Sequence, residues 1–371
     1  MNLNIDFKSR KLWTVVGSAL LGVIILIIIL LKYPFKEIFA TFKNFTPLMV
    51  LLYLVVSVVI MCVLSFRWKV VLNAMGYKVP FYKLMAYRII GYGLSYITPS
   101  AKVGGEPLRA ALLKRQGMTF SEGLSSVIVD KTIELSFSAF FFLGGVILLI
   151  ASYAVPGKLL VTLIVLSAFF LYLVWAFYSR IMKEKPVFAH LFKILRLHKF
   201  RFLAKHYDAI VKFEEPIIKF YKTRKKAFFI AVALSFCSLL ISLLEYHLVL
   251  SMLGIKAPVG IVFMVFSLAG FAFLIPLPMA LGTFEAFQVS LFAILGIGPA
   301  AAGIGVAMIT RSRDLLWVLC ASLLSLYIGS FKNIVRRAYG DRPIVGVGIV
   351  RRGQRHRLDI KIHRPSEKER K

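Results

Sequence analysis

The chain has 371 residues, is 59% hydrophobic, has a mean hydropathy of +0.80 and bears a formal charge of +30. Its apolar residues occur in unbroken runs rather than in an amphipathic alternation, which excludes an ordinary soluble globular fold and indicates a polytopic membrane protein. Each of the three cysteines lies alone in an apolar run, which excludes a disulfide framework and a zinc site.

Six apolar runs have about the length needed to cross a bilayer, which is ~20 residues for a helix. In chain order they are residues 12–31, 47–65, 136–153, 156–178, 227–250 and 315–331. The first run is too long for the apolar core of a signal peptide and lacks a small-residue cleavage site after it, so we interpret it as a span. We therefore expect an all-α fold with about six full spans.

The positive charge lies largely in residues 180–226 and 332–371, next to predicted spans. Lysine and arginine concentrate in the cytoplasmic loops of membrane proteins, which explains the charge without a nucleic-acid partner and adds contact with anionic lipid headgroups. No HExxH, GxxxxGK[ST] or GxSxG pattern occurs. This excludes the simplest metalloprotease, nucleotide-driven and serine-hydrolase interpretations, and we predict neither a metal nor a cofactor.

An internal repeat relates the two halves of the chain. The segment "MGYKVP" at 75–80 returns as "LGIKAP" at 253–258, an offset of 258 − 80 = 178. At an offset of 179, "MAYRIIG" at 85–91 matches "MVFSLAG" at 264–270. At 180, "VDKTIEL" at 129–135 matches "ITRSRDL" at 309–315. Each unit is interpreted as a span, a pair of short helices around a break, and a long final helix.

Individual residues follow the same register. The offset of 179 relates two prolines and two glutamates, and the offset of 180 relates two cations and two carboxylates. The matched pairs are Pro99 with Pro278, Glu106 with Glu285, Lys131 with Arg311, and Glu134 with Asp314.

The distribution of lysine and arginine predicts that the two units are inverted. The basic residues place both termini in the cytoplasm, the first hairpin on the cytoplasmic side and the second hairpin outside, where Lys256 is the only cation between 251 and 310. We predict a multi-pass protein of the cell membrane with two re-entrant hairpins, about eight hydrophobic segments in all. The predicted regions are 1–46, 47–155 (first repeat), 156–226 (span and basic connector), 227–331 (second repeat) and 332–371 (basic tail).

The breaks in the hairpins are the sequences "PSAKVGGEPLRAALLKR" at 99–115 and "PLPMALGTFEAF" at 276–287. Irregular backbone at membrane depth is tolerated only where it is buried in protein or lines a polar cavity. Pro99 and Pro278 are the predicted helix breaks. Gly104 or Gly105 is the predicted cap of the helix containing Glu106.

In the second hairpin, Gly282 belongs to the break, and Thr283 is the predicted cap of a helix with Glu285 in its first turn. Inverted repeats with broken helices are the architecture of secondary transporters.

Two charged clusters interrupt the long final helices of the repeats. Asp130, Lys131 and Glu134 are about one turn apart, as are Arg311 and Asp314, so each cluster is either a self-satisfied pair or a functional site. Thr119 with Glu122 predicts a capping-box start for the first of these helices. If that helix begins at residue 120, Asp130 lies ~15 Å along it. Arg109 adds a cation to the first hairpin, where the second has Gln288. Arg313 is a weaker candidate, because its counterpart in the first unit, residue 133, is apolar. Glu245 and His247 are expected at the membrane interface.

These motifs resemble the lysylphosphatidylglycerol synthase transmembrane, or flippase-like, family. "GGEPLRA" at 104–110 and "SSVIVDKTIEL" at 125–135 are similar to its G-E-x-x-R and V-x-x-E-R-x-x-D-L patterns, and "PLPMALGTFEA" at 276–286 is similar to P-x-P-G-G-L-G-x-x-E-A. The resemblance covers residues 10–331. Asp130-Lys131 replaces Glu-Arg, Glu134 replaces Asp, and Met279-Ala280 replaces Gly-Gly.

The resemblance implies a protein that moves charged lipids between leaflets. Because the sequence after residue 331 is short, we do not expect the aminoacyl-transferase domain that some relatives carry, nor an enzyme. The expected cargo is a charged-headgroup phospholipid or a polyprenyl-phosphate lipid, and a homo-oligomer is compatible with the sequence. Two alternatives stay open: a lipid-modifying enzyme with Glu106 or Asp130 as general base, and an ion-coupled carrier of a small solute.

The predicted binding site combines cations with the two helix ends. The expected substrate-binding residues are Lys131, Arg311, Arg109, Gly105 and Gly282. The expected charge-pairing or gating residues, which hold those cations when the site is empty, are Glu106, Glu285, Asp130, Glu134 and Asp314.

Overall fold

The computed structural model describes residues 45–98, 103–194, 207–274 and 277–339. Within these ranges the chain is almost entirely helical and contains no strand. The chain divides into two compact units, 1–331 and 332–371, and the second is described only where it continues the last helix to residue 339. The predicted span 12–31, Pro99 and Pro276 lie outside the described residues.

The described residues form eleven α-helices. They are α1 (Pro47–Ala74), α2 (Phe81–Ile97), α3 (Glu106–Leu113), α4 (Phe120–Ser152), α5 (Gly157–Met182), α6 (Phe188–Ile194), α7 (Tyr207–Thr223), α8 (Lys225–Met252), α9 (Val259–Ala269), α10 (Thr283–Leu295) and α11 (Ala300–Tyr339). Short 3-10 turns occur at Lys114–Gln116, Gly270–Leu274 and Pro278–Ala280.

Among the described residues, five helical segments are long and apolar enough to cross a membrane: α1, α4, α5, α8 and Pro278–Leu295. The first four contain the predicted spans 47–65, 136–153, 156–178 and 227–250, and the predicted span 315–331 lies within α11. Pro278–Leu295, which joins a 3-10 turn to α10, was not predicted as a span, because the sequence analysis assigned it to a hairpin. The prediction of an all-α polytopic membrane protein is confirmed.

The outer surface of the bundle agrees with this class. On α5, large apolar side chains such as Val161, Val165 and Trp175 are exposed. An extended apolar surface of this kind is rare on soluble monomers and is the normal surface of a helix that contacts lipid.

The helices recur along the chain at the offsets of the sequence repeat. Helices α1 and α8 are equal in length, and their first residues are related by an offset of 225 − 47 = 178. The starts of α2 and α9 are related by the same offset (259 − 81 = 178), and those of α4 and α11 by 300 − 120 = 180. The two corresponding helices α1 and α8 pack directly against each other.

Local sequence explains where two of the long helices begin. Thr46 caps α1, with Pro47 in the first turn, where its missing N–H is not needed. At α4, Thr119 Oγ1 accepts a hydrogen bond from the Glu122 amide, and Glu122 Oε2 accepts one from the Thr119 amide at 2.8 Å. The predicted capping box and the predicted helix start at 120 are confirmed.

The two short helices after the breaks begin differently. Gly105 caps α3, with Glu106 and Pro107 in its first turn, as predicted. The predicted Thr283 cap of α10 is wrong: Gly282, with φ of +74°, occupies the cap position. The Thr283 hydroxyl instead donates backward to backbone carbonyls, including that of Ala280 at 3.0 Å.

Candidate functional site

A cavity of about 310 Å³ lies among helices of both repeated segments. Side chains of α1, α2, α3 and α4 line one part of it, and side chains of α8, α9, α11 and the Gly270–Leu274 turn line another. Two groups of interacting charged side chains lie at this cavity, and all of their members except Arg67 and Asp130 line it. We call them the arginine cluster (Arg67, Arg88, Glu106, Arg109, Asp130, Lys131 and Glu134) and the carboxylate cluster (Glu245, Arg313 and Asp314).

Asp130 is the centre of the arginine cluster and is completely buried. Its Oδ1 accepts a hydrogen bond from Arg67 Nε at 2.8 Å. Its Oδ2 accepts from Arg88 Nη2 at 2.5 Å and from Arg109 Nη2 at 2.9 Å. The three arginines come from α1, α2 and α3, so one carboxylate on α4 joins four helices.

The other two carboxylates of the arginine cluster link its cations. Glu106 Oε2 accepts from Arg109 Nη1 at 2.8 Å, and Glu134 accepts from Arg67 Nη2 and from Lys131 Nζ, both at 2.7 Å. Lys131 Nζ also lies 3.7 Å from Glu106 Oε1. Four cations and three carboxylates leave the arginine cluster with a formal charge of 4 − 3 = +1.

Tight packing holds Arg109 and the start of α3 in place. The Arg109 guanidinium lies over the Trp68 ring at 4.1 Å. The Gly105 amide donates to Ser95 Oγ at 2.7 Å, and a Cβ on Gly105 would lie 1.9 Å from the Gly91 carbonyl oxygen. Only glycine fits here, because the backbones of α2 and α3 are in direct contact.

The carboxylate cluster has the opposite composition. Arg313 Nη1 lies 2.5 Å from Glu245 Oε2, and Arg313 Nη2 donates to Asp314 Oδ1 at 2.8 Å. Asp314 Oδ1 also accepts a hydrogen bond from the Tyr92 hydroxyl on α2 at 2.7 Å. One cation and two carboxylates give this cluster a formal charge of 1 − 2 = −1.

Arg311 forms a third ionic contact, outside the residues that line the cavity. Its guanidinium donates to both carboxylate oxygens of Glu285, with Nη2 to Oε2 at 2.8 Å. It also donates to the carbonyl oxygens of Met279 at 2.8 Å and Ala280 at 3.0 Å. Met279 and Ala280 have φ of +56° and +49°, where the resembling motif has two glycines.

The structure brings together six of the residues that the sequence predicted. Five of them line the cavity: Glu106, Arg109, Lys131, Glu134 and Asp314. Asp130 lies beside them as their buried anchor. Arg311 and Glu285 form the separate contact, Gly105 and Gly282 lie at the helix starts, and Pro278 begins a 3-10 turn.

Four charged residues of the clusters were missed. Arg67 and Arg88 were not predicted as site residues, Glu245 was expected at the membrane interface, and Arg313 was the weaker candidate of its cluster. All four are buried or partly buried in ion pairs. One signal in the sequence could have identified two of them. Arg67 and Glu245 are related by the repeat offset of 178, and it is unusual for two apolar helices to have opposite charges at matching positions.

In the part of the chain that the structure describes, no group of three or more His, Cys, Asp or Glu side chains could hold a metal ion. The charged side chains that line the cavity can bind, orient and release charged groups.

The fold and the site define a multi-pass α-helical membrane protein with buried charge clusters around an internal cavity. Comparison with known families assigns it further. Residues 15–322 match the model of the lysylphosphatidylglycerol synthase TM region, and the chain belongs to that family. The resemblance drawn from the three motifs is thereby confirmed.

Related proteins come from archaea. The chain is 22% identical to a UPF0104 membrane protein of Methanothermobacter thermautotrophicus over 318 residues, 81% of this chain and 91% of the relative. A second UPF0104 membrane protein of that organism is 25% identical over 313 residues, covering 79% and 87%. A UPF0104 membrane protein of Methanocaldococcus jannaschii is 26% identical over 189 residues, covering 49% and 53%.

Proposed function

We propose that this protein is a lipid translocase, which moves a phospholipid or polyprenyl-phosphate lipid with a charged headgroup between the leaflets of the cell membrane. The observation that carries the proposal is the cavity lined by buried charges inside a bundle with an apolar exterior. Ionisable side chains within a membrane are costly, and they mark the path of a polar or charged group.

The cavity suits a headgroup rather than a whole lipid. Its volume of about 310 Å³ lies at the lower end of the range for small-molecule sites, ~300–1,000 Å³. A headgroup would enter it while the acyl or prenyl chains stay in the bilayer. This division accounts for a polar interior and an apolar surface in the same bundle.

The cations of the arginine cluster would receive the phosphate. Lys131 is the most accessible of them, with its side chain 16% exposed, against 7% or less for the three arginines. Its contact with Glu106 is long, at 3.7 Å, so a phosphate oxygen can replace that carboxylate at small cost. Glu106 and Glu134 would hold Lys131 in place when no lipid is bound.

The repeated helices support an alternating mechanism for crossing the membrane. Corresponding elements follow one another in the same order in both segments, and each segment contains a break next to the charges. We propose that the segments are inverted, that the breaks belong to re-entrant hairpins, and that both termini are cytoplasmic. One hairpin would then open to each side of the membrane.

For the enzyme alternative, the geometry disfavours Asp130 as the general base and leaves Glu106, whose Oε1 lies 3.7 Å from Lys131 Nζ, as the candidate. A general base needs a free carboxylate oxygen within reach of a proton, but both oxygens of Asp130 are bonded to arginines. Conversion of a labelled lipid by the purified protein in detergent, where no leaflets exist, would favour the enzyme over the translocase.

Leaflet exchange in vesicles tests the proposal. The full chain is reconstituted with fluorescent phosphatidylglycerol, a neutral lipid or a polyprenyl phosphate, and the accessible fraction is followed with time. We expect exchange that depends on the headgroup and is lost when Lys131→Ala and Arg311→Ala are combined.

The matched control is Lys222→Ala, which removes a cation from an exposed ion pair with Glu184. It should exchange lipid at the normal rate. A folded Lys131→Ala, Arg311→Ala protein that still exchanges lipid normally would contradict the proposal, as would a folded unaltered protein that exchanges no lipid.

A further inference from the structure

The two charge clusters that share the cavity have opposite polarity. The arginine cluster, with four cations and three carboxylates, has a formal charge of +1. The carboxylate cluster, with one cation and two carboxylates, has a formal charge of −1. A ligand with a single negative charge would match only one of them. The cavity as a whole is complementary to a ligand that has a negative and a positive group.

The polarity is built into equivalent positions of the repeat. Residue 67 on α1 is arginine and its counterpart 245 on α8 is glutamate. Residue 130 on α4 is aspartate and its counterpart 310 on α11 is threonine, whereas 133 is isoleucine and its counterpart 313 is arginine. One half therefore surrounds a carboxylate with arginines, and the other surrounds an arginine with carboxylates.

Helix α2 contacts both clusters, one helical turn apart. Arg88 bonds to Asp130 in the arginine cluster, and Tyr92, on the next turn of the helix, bonds to Asp314 in the carboxylate cluster. The two residues are separated by a rise of ~6 Å along the helix. Because Arg88, Arg109 and Glu245 also line the same cavity, one ligand with two charges can contact both clusters.

Unpartnered atoms indicate the chemistry that each cluster lacks. Arg88, Arg109 and Glu245 all line the cavity and are each at least nine-tenths buried. Within the described part of the chain, Arg88 Nε, Arg109 Nε and Glu245 Oε1 have no hydrogen-bond partner. Buried polar atoms are normally bonded, so the first cluster lacks an acceptor and the second lacks a donor.

From these observations we infer that the cavity binds an aminoalkyl phosphate, with the phosphate at Arg88 and Arg109 and a primary ammonium at Glu245. A primary ammonium supplies the N–H donor that Glu245 Oε1 lacks, whereas a quaternary ammonium has none. Such a group is either a lipid headgroup, in which case the inference rests on the proposed translocase, or a free solute.

Titration calorimetry of the full chain in detergent tests the binding chemistry. The probes are O-phosphoethanolamine, phosphocholine and glycerol 3-phosphate. We expect O-phosphoethanolamine to bind about tenfold more tightly than the other two, the effect of one charge-assisted hydrogen bond. Equal binding of the three, or binding of none of them, would overturn the inference.

Two variants assign the ends of the ligand. Glu245→Gln should lower the affinity for O-phosphoethanolamine to that for glycerol 3-phosphate and leave the latter within about twofold, because only the ammonium contact changes. Arg88→Gln should weaken all three phosphates. The control Glu184→Gln, at an exposed carboxylate, should change none of them. If Glu245→Gln does not fold, the preference of the unaltered protein among the three probes decides.

Vesicle experiments separate the two sources and the two proposals. Exchange of phosphatidylethanolamine in preference to phosphatidylglycerol and phosphatidylcholine identifies a lipid headgroup, and uptake of labelled O-phosphoethanolamine identifies a solute. Lipid exchange without headgroup preference contradicts this inference and leaves the translocase standing. Selective binding of O-phosphoethanolamine without exchange of any lipid supports this inference and contradicts the translocase.

Discussion

Arg67 and Glu245 stand at equivalent positions of two equal helices, because 67 − 47 equals 245 − 225, and they bear opposite charges. Both side chains are buried, at 1% and 3% exposure. Arg67 pairs with Asp130 and Glu134 on α4, and Glu245 pairs with Arg313 on α11. The two helices therefore have buried side chains of opposite charge at the same relative position.

The pair of Glu245 with Arg313 should be strongly coupled. In a double-mutant cycle of Glu245→Gln and Arg313→Gln, we expect a coupling free energy of about 1.5–3 kcal/mol, because both partners are desolvated and in contact. The measurement is unfolding in detergent. The same cycle at Glu184 and Lys222, which are more than half exposed, should give less than about 1 kcal/mol. Equal values for the two cycles would contradict a buried pair.

Asp130→Asn should be among the most destabilising changes in this chain. The substitution leaves Arg67, Arg88 and Arg109 facing one another without the carboxylate that they share, and an uncompensated buried charge costs about 3–5 kcal/mol. Thermal unfolding in detergent measures the loss. Glu184→Gln, also a carboxylate-to-amide change, should have almost no effect. A stable Asp130→Asn protein would show that Glu106 and Glu134 compensate the three arginines without Asp130.

Gly105→Ala should lower stability by about 3 kcal/mol, the upper end of the usual cost of overpacking, because its Cβ would overlap the Gly91 carbonyl oxygen at 1.9 Å and one of the two helices must move. Gly157→Ala is the matched control. Nothing lies within 4 Å of a Cβ at Gly157, so stability should stay the same or rise by up to about 1 kcal/mol. Similar unfolding temperatures for the two variants would argue against close packing of α2 and α3.

Ala280→Gly should be neutral or stabilising. Ala280 has φ of +49°, a conformation that costs an L-residue about 1–2 kcal/mol and glycine very little. The control Ala286→Gly, within α10, should lower stability by about 1 kcal/mol. The free energies of unfolding of the two variants are compared under one condition. A larger loss of stability for Ala280→Gly than for Ala286→Gly would contradict strain at Ala280. Met279-Ala280 in place of Gly-Gly therefore stores strain beside Arg311, whose guanidinium bonds to both carbonyls.

Local chemistry made much of the fold predictable. Long apolar runs can only be spans, and this identified α1, α4, α5 and α8. The capping box at Thr119 and Glu122 and the sequence before Glu106 marked two helix starts, because caps depend on residues a few positions apart. The predicted cap of α10 was wrong. Gly282 occupies the cap position with a positive φ, a conformation that is easy for glycine and strained for threonine.

The sequence by itself determined the class, the family and most of the charged residues around the cavity, because each of these depends on composition or on short-range spacing. Only the tertiary structure decided which charges meet. Arg67, Arg88 and Arg109 lie on three different helices, far from Asp130 along the chain, and still reach its carboxylate. Membrane helices are apolar on all faces, so their pattern does not indicate which face turns inward. Helix packing sets that rotation, and with it the opposite polarity of the two clusters.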